Sequence, residues 1–133
     1  MSAVVDFLVR ADHRGLERSK GESPETGQDI ADALTRFASA ARTGGKEYAL
    51  ARQSLLVHAL GAPSSAAALA DGRQRLITWG AEALHSTGAT RPEAKSALIV
   101  GLVDGMISAS LFMGIAVEES ALRSAINAII TDP

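Results

Sequence analysis

The stretch that decides the fold, residues 96–117, reads SALIVGLVDGMISASLFMGIAV and carries a single charged residue, Asp104. A helix on the surface of a small monomer has one apolar stripe and one polar face. This segment is apolar or small on nearly every side, so a helix formed by it must be covered on more than one side. Lipid, the rest of a helical bundle and a second copy of the chain are the three candidates for that cover.

Lipid is the weakest of the three candidates. The segment is long enough to span a bilayer, and Gly101 and Gly105 have the G-x-x-x-G spacing of packed transmembrane helices. However, Asp104 near its middle is costly in hydrocarbon, and neither an aromatic belt nor a strongly basic flank accompanies it. We therefore expect a helix that is buried in a bundle and in a dimer interface, and no membrane partner.

The composition indicates one globular domain over residues 1–133, because 47% of the residues are hydrophobic and 21% are charged. The net charge is −2, and no stripe of lysine and arginine gives this chain an electrostatic footprint for nucleic acid. Cysteine is absent, which excludes disulfides and thiol chemistry. The N-terminus has no basic region before its apolar residues, so no signal peptide is predicted and we expect a cytoplasmic protein.

Helical periodicity runs through the whole chain, and it predicts an all-α antiparallel bundle of about six helices. Turn-rich stretches near residues 20–27, 43–45, 61–63 and 87–89 separate the helices. Thr90 and Glu93 have the spacing of a capping box before the apolar helix. The predicted helices cover about residues 1–18, 27–42, 46–60, 64–85, 92–113 and 118–130.

The reactive and metal-binding residue types of the chain form no pattern that predicts an enzyme, a metal site or a cofactor site. The three histidines lack the spacing of metal ligands, and the glycines form neither a dinucleotide-binding motif nor a P-loop. Asp104 is the notable charge. It is either a polar anchor in a ligand cavity or interface, or a carboxylate at the helix margin that pairs with an arginine such as Arg123. We favour the second, because ionised carboxylates are rarely buried without a partner.

From Leu55 onward the sequence has a distinctive order of helices and breaks. LLVHALG is followed by APSS, the long helix ALADGRQRLITWGAEAL, the turn HSTGAT, the apolar helix with its Asp104-Gly105 dipeptide, and EESALRSAINAII. This order resembles the C-terminal regulatory domain of the tetracycline-repressor (TetR) family of transcription factors. The opening VVDFLVRADHRGLER is similar to the helix that follows the DNA-binding module of that family. The helix-turn-helix itself is missing, so DNA would be a partner only through a module that this sequence does not contain.

The resemblance implies a homodimer that binds a small apolar effector. In the family, the last two long helices of each subunit form a four-helix dimer interface, and the middle helices enclose the effector pocket. The alternative is a free-standing helical dimer that acts as an adaptor or small-molecule carrier without a DNA-binding role. By position, the interface candidates are Ala97, Gly101, Ser108, Phe112, Leu122, Ile126 and Ile130. The pocket candidates are Phe37, Tyr48, Leu55, His58, Trp79 and Met106.

Overall fold

The computed structural model describes residues 26–43 and 61–133, together with the single positions Glu47, Leu50, Ser54 and Val57. These residues contain four long helices and no strand, which confirms the all-α class for this part of the chain. The predicted helix over residues 1–18 lies outside the described residues. So does most of the predicted helix over residues 46–60, although its four described positions are helical. The helices are α1 (Gly27–Thr43), α2 (Pro63–Ser86), α3 (Pro92–Met113) and α4 (Glu119–Thr131).

Local sequence signals explain where α1 and α4 begin. At the start of α1, the backbone N–H of Asp29 donates to Thr26 Oγ1 at 3.2 Å and the N–H of Thr26 donates to Asp29 Oδ2 at 3.0 Å. Each residue thus satisfies a backbone donor of the other, as in a capping box. At the start of α4, the Glu118 carboxylate accepts from the N–H of Ala121 at 2.9 Å, and a negative charge there is favourable to the helix dipole.

The start of α3 differs from the prediction of a Thr90–Glu93 capping box. The residue that precedes the helix is Arg91, which has a left-handed backbone (φ 49°) and makes no side-chain cap. Pro92 then occupies the first turn, where its missing N–H is harmless. The α3 helix ends at Gly114, whose φ of 68° is easy for glycine and strained for other residues.

The helices pack as two antiparallel pairs, α2 with α3 and α1 with α4, and α1 also contacts α3. In the first pair, Gly80 lies so close to Ser96 that a Cβ on Gly80 would be 2.4 Å from the Ser96 hydroxyl oxygen. That hydroxyl donates to the carbonyl of Ile77 at 2.7 Å and so joins α3 to the backbone of α2. A small residue at position 80 is therefore required by the packing.

The second pair is joined at its middle and at both ends. Arg123 Nε donates to Asp32 Oδ1 at 2.7 Å, and Ser39 Oγ donates to Glu119 Oε1 at 2.7 Å. At the other end, a Cβ on Gly27 would lie 2.7 Å from Ile130 Cγ2. The apolar core lies between the pairs, and it consists of Ile30, Ala31, Ala38, Leu84, Ile99, Val103, Ile107, Leu122, Ile126 and Ile130.

Candidate functional site

The α3 helix is apolar on nearly every side, yet only one of its faces is buried in the described part of the chain. Ile99, Val103 and Ile107 form its buried stripe. The opposite side of the helix is exposed, and we call it the outer face of α3. At about 100° per residue its members cluster in one sector, and none of them is charged. The outer face of α3 consists of Ala94, Ala97, Leu98, Gly101, Gly105 and Phe112.

The exposure of large side chains on and beside this face is high. Leu98 is 62% exposed and Phe112 57%, while Met113 and Ile115, at and just after the end of the helix, are 70% and 51% exposed. The length and apolar composition of α3 would allow it to cross a membrane, which by itself is weak evidence for a membrane protein. Only 28% of its most apolar 18-residue segment is buried in the structure. Large apolar side chains thus lie exposed on and beside one uncharged face of α3.

The predicted interface residues fall into two groups. Ala97, Gly101 and Phe112 lie on the outer face of α3, and Ser108 is half-buried at its edge. Their assignment to an interface remains a prediction. In contrast, the three predicted residues of α4 are core residues, because Leu122, Ile126 and Ile130 are 3%, 0% and 7% exposed.

The assignment of these three α4 residues to an interface also stays a prediction. Within the subunit their side chains pack in the apolar core, so they expose little surface to a second copy. Three of the exposed positions of α4 are small and uncharged, namely Ala121, Ser124 and Ala128, which recur at intervals of three and four residues, whereas the exposed Glu119 at the start of the helix is charged. At this spacing the three positions lie on one side of α4.

Asp104 is paired with an arginine, as the sequence suggested, but the partner is Arg73 on α2 and not Arg123. The distance between Arg73 Nη1 and Asp104 Oδ2 is 2.5 Å, and the side chains are 47% and 29% exposed. Arg123 contacts Asp32 on α1 instead. The Arg73–Asp104 pair lies beside the outer face of α3, since Asp104 adjoins Gly105 in the chain.

Three of the six predicted pocket residues lie in the described part of the chain. Phe37 on α1 and Met106 on α3 are half-buried and pack against the same core cluster. Trp79 on α2 is also half-buried. Tyr48, Leu55 and His58 lie outside the described residues. The structure thus brings Phe37 and Met106 to one core, and the ligand role of all six residues remains a prediction.

A cleft of about 560 Å³ lies at the end of the bundle where α1 begins and α4 ends. Lys95 contributes to its wall and is 3% exposed. The Lys95 ammonium donates to Thr90 Oγ1 at 3.2 Å, to the Ile130 carbonyl at 2.9 Å and to the Asp132 carbonyl at 2.5 Å. It thereby satisfies carbonyls at the negative end of the α4 dipole.

Sequence reasoning missed the role of Lys95, although a signal for its burial is present. Lys95 is in phase with Ile99 and Val103 at intervals of four residues, so it belongs to the buried stripe of α3. Arg91 adds a second link to the same end of α4, because its Nη2 contacts Asp132 Oδ2 and donates to the Pro133 carbonyl at 2.8 Å. Within the described part of the chain, no group of three acidic or histidine side chains could hold a metal ion.

Comparison with protein families gives one match that covers most of the chain. A family model described as "Tetracyclin repressor-like, C-terminal domain" matches residues 25–132. The match begins just before α1 and ends just after α4. No curated protein and no solved structure matches the chain.

Proposed function

The chain belongs to the family of tetracycline-repressor-like C-terminal domains, and on this basis we propose that it is the ligand-sensing and dimerisation domain of a cytoplasmic transcriptional regulator. C-terminal domains of this family are parts of regulators and not enzymes. The single observation that carries the proposal is the outer face of α3, which is uncharged, apolar and exposed. A second copy of the chain is the partner that we propose for it.

The dimensions of α3 support an interface that includes a second helix. A helix of 22 residues is about 33 Å long and about 10 Å wide, so one of its faces offers about 330 Å². A standard interface buries about 800 Å² on each partner. We therefore propose that the small exposed side of α4 joins the outer face of α3. Ala121, Ser124 and Ala128 would allow a close approach of the partner's helices.

The effector site that we propose lies where the middle helices meet the core. Phe37 and Met106 support it, since both are apolar, half-buried and in contact with the same core cluster. Trp79, Tyr48, Leu55 and His58 complete the proposed set. A small apolar molecule that binds one arrangement of the helices more tightly would shift the population toward that arrangement. The change would pass to the partner subunit through α3, because α3 contributes to both the core and the outer face.

The dimer is tested by placing a charge on the outer face of α3. Leu98→Glu and Phe112→Glu replace apolar side chains that are 62% and 57% exposed, so each variant is expected to fold normally and to be monomeric. Val57→Glu is the matched control, because Val57 is apolar and 64% exposed but does not belong to α3. Sedimentation velocity measures the oligomeric state, and circular dichroism verifies the helix content.

The expected pattern is a dimer for the unmodified protein and for Val57→Glu, and a monomer for the two α3 variants. If Leu98→Glu and Phe112→Glu both remained dimers, the outer face of α3 would not be the interface.

The effector is tested separately, by intrinsic fluorescence and thermal unfolding. Trp79 is the single tryptophan of the chain, so its emission reports on one site of α2. An apolar ligand at 100 times its dissociation constant stabilises a protein by about 2.7 kcal/mol and changes its melting temperature accordingly. We expect at least one class in a panel of apolar compounds to produce both signals. A panel in which no compound changes either the fluorescence or the melting temperature would contradict the sensing role.

A further inference from the structure

Ser110 is a buried side chain of α3 whose hydroxyl has no hydrogen-bond partner among the described residues. It is 6% exposed and belongs to the buried stripe of α3, in phase with Val103 and Ile107. A hydroxyl side chain in a helix often donates to the carbonyl four residues earlier, as Thr35 does to Ala31 at 2.8 Å, but the Ser110 hydroxyl makes no such bond. A buried hydroxyl without a partner costs stability, so Ser110 keeps a hydrogen-bonding capacity that a bound molecule could use.

The other buried polar and charged side chains in the described part of the chain all have partners. They are Thr35, Lys95 and Ser96. Thr35 and Ser96 donate to backbone carbonyls, and the ammonium of Lys95 donates to three oxygen atoms. Each of these side chains therefore contributes a hydrogen bond to the fold, whereas the hydroxyl of Ser110 contributes none.

The α1 and α3 helices run in the same direction through the bundle. Gly27 at the start of α1 lies against the side chain of Ile130, and Lys95 at the start of α3 donates to the carbonyl of the same residue. Ser39 near the end of α1 donates to Glu119 at the start of α4, and α3 ends shortly before α4 begins. Positions at equal distances from Ile130 along α1 and α3 are therefore at similar levels in the bundle.

Ser110 lies beyond the level of Phe37 and Met106 by about one helical turn. At about 1.5 Å per residue, Phe37 and Met106 are about 15–17 Å along their helices from the end marked by Ile130, and Ser110 is about 22 Å from it. Phe37 and Met106 are the half-buried apolar residues that support the proposed effector site. The Ser110 hydroxyl thus lies at the end of that proposed site farther from Ile130.

We propose that Ser110 is the polar contact of the effector, and that the effector is a neutral apolar molecule with one hydrogen-bond acceptor, such as a ketone. The Ser110 hydroxyl donates to the ligand oxygen in the bound state. This inference rests on the proposed function, since it requires a small molecule among the core helices. It narrows the class of apolar effectors to those that carry an acceptor near one end.

The charges of the chain favour a neutral ligand. Within the described residues, Lys95 is the one buried side chain that carries a charge, and it lies about 22 Å from Ser110 along α3 with its ammonium bound to three oxygen atoms. Ser110 is also in the last turn of α3, where the helix dipole is unfavourable to an anion. An ionised group buried beside Ser110 would lack a counter-charge, which costs far more than an unpartnered hydroxyl.

The test compares pairs of compounds that differ only in a carbonyl group. The pairs are fluorenone with fluorene, benzophenone with diphenylmethane, and cyclodecanone with cyclodecane, and equilibrium dialysis measures the dissociation constant of each compound. We expect the ratio of ketone affinity to hydrocarbon affinity to fall about tenfold from the unmodified protein to Ser110→Ala. The ratio cancels the difference in hydrophobicity between the two members of a pair. A fluorenone carboxylate at neutral pH is expected to bind at least about tenfold more weakly than fluorenone.

Ser96→Ala is the matched control, because Ser96 lies on the same buried stripe but its hydroxyl donates to the Ile77 carbonyl at 2.7 Å. It is expected to leave the affinity ratio unchanged. In thermal unfolding without ligand the two variants are expected to differ in the opposite sense. Ser110→Ala removes a hydroxyl without a partner and is expected to melt at or above the temperature of the unmodified protein, whereas Ser96→Ala is expected to melt below it.

The results that overturn the inference can be told apart from a failure of the proposed function. If the ketones bind but the affinity ratio is the same in Ser110→Ala, or if only the hydrocarbons bind, Ser110 is not the polar contact and the sensing role survives. A fluorenone carboxylate that binds as tightly as fluorenone would refute the neutral class. If Ser110→Ala lowers the melting temperature as much as Ser96→Ala does, the hydroxyl already has a partner in the free protein and the inference fails. If neither these pairs nor the wider panel of apolar compounds bind the unmodified protein, the sensing role and this inference fail together.

Discussion

The hydrogen bonds of Lys95 allow a quantitative prediction for Lys95→Met. Methionine keeps an unbranched apolar side chain of similar length and removes the ammonium. The substitution removes three donated bonds, of which the one to the Ile130 carbonyl is buried and the one to the Asp132 carbonyl is partly buried. The free energy of unfolding is therefore expected to fall, and the last turn of α4 is expected to loosen.

The magnitude follows from the acceptors that lose their donor. A hydrogen bond to a charged group contributes about 1.5–3 kcal/mol, and a buried acceptor left without a partner costs about 1–3 kcal/mol. The gain from no longer burying a charge offsets part of this loss. We expect a net loss of about 2–3 kcal/mol in the free energy of unfolding. For a chain of this length that corresponds to a decrease of about 7–10 °C in melting temperature.

The assay is urea unfolding followed by far-ultraviolet circular dichroism, with all proteins at one concentration because a dimer unfolds in a concentration-dependent way. Arg75→Met is the control, since it removes a cation whose side chain is 71% exposed, and it is expected to change the free energy by less than about 0.5 kcal/mol. A Lys95→Met variant within about 0.5 kcal/mol of the unmodified protein would refute the assignment of Lys95 as a structural cap of α4.

Three further substitutions test other contacts of the structure. Gly80→Ala places a Cβ 2.4 Å from the Ser96 hydroxyl oxygen, and we expect urea unfolding to give a loss of about 1–3 kcal/mol. If the double variant Gly80→Ala, Ser96→Ala lost as much as Gly80→Ala alone plus Ser96→Ala alone, the close contact would not be the cause. Ile126→Ala removes a side chain that is 0% exposed, so a loss of about 2–5 kcal/mol is expected in the same assay, and a loss below about 1 kcal/mol would contradict its core position. Gly105→Leu introduces a side chain whose Cβ meets nothing within 4 Å, so the subunit is expected to fold normally while sedimentation detects a weaker dimer. A Gly105→Leu dimer of unchanged affinity would contradict a close approach of the two α3 helices.

The sequence predicts where the helices of the described chain lie. It does not show against which surface the apolar face of each helix packs. Leu122, Ile126 and Ile130 show why. Their spacing identifies the apolar stripe of α4, but the same stripe would serve a dimer interface as well as it serves the core. Only the packing of α4 against α1 decides between the two. For α3 the sequence is more informative, because a helix that is apolar all round has more apolar surface than one core can cover.

Charged residues illustrate a second limit of sequence reasoning. That Asp104 pairs with an arginine was predictable from the cost of an unpaired carboxylate. That the partner is Arg73 depends on the register of α2 against α3, which is fixed by the contact of Gly80 with Ser96. The Thr90–Glu93 box was wrong for a related reason. The tertiary contact of Arg91 with the end of α4 accompanies a left-handed backbone at Arg91, and the helix starts without a side-chain cap.

The central claim is that the outer face of α3 joins two copies of this chain, and sedimentation velocity of the unmodified protein beside Leu98→Glu tests it most directly. The account predicts a species of twice the 13.8 kDa chain mass for the unmodified protein at micromolar concentration, and a 13.8 kDa species for the variant. A 13.8 kDa species for the unmodified protein, or a dimer that persists in Leu98→Glu, would contradict it.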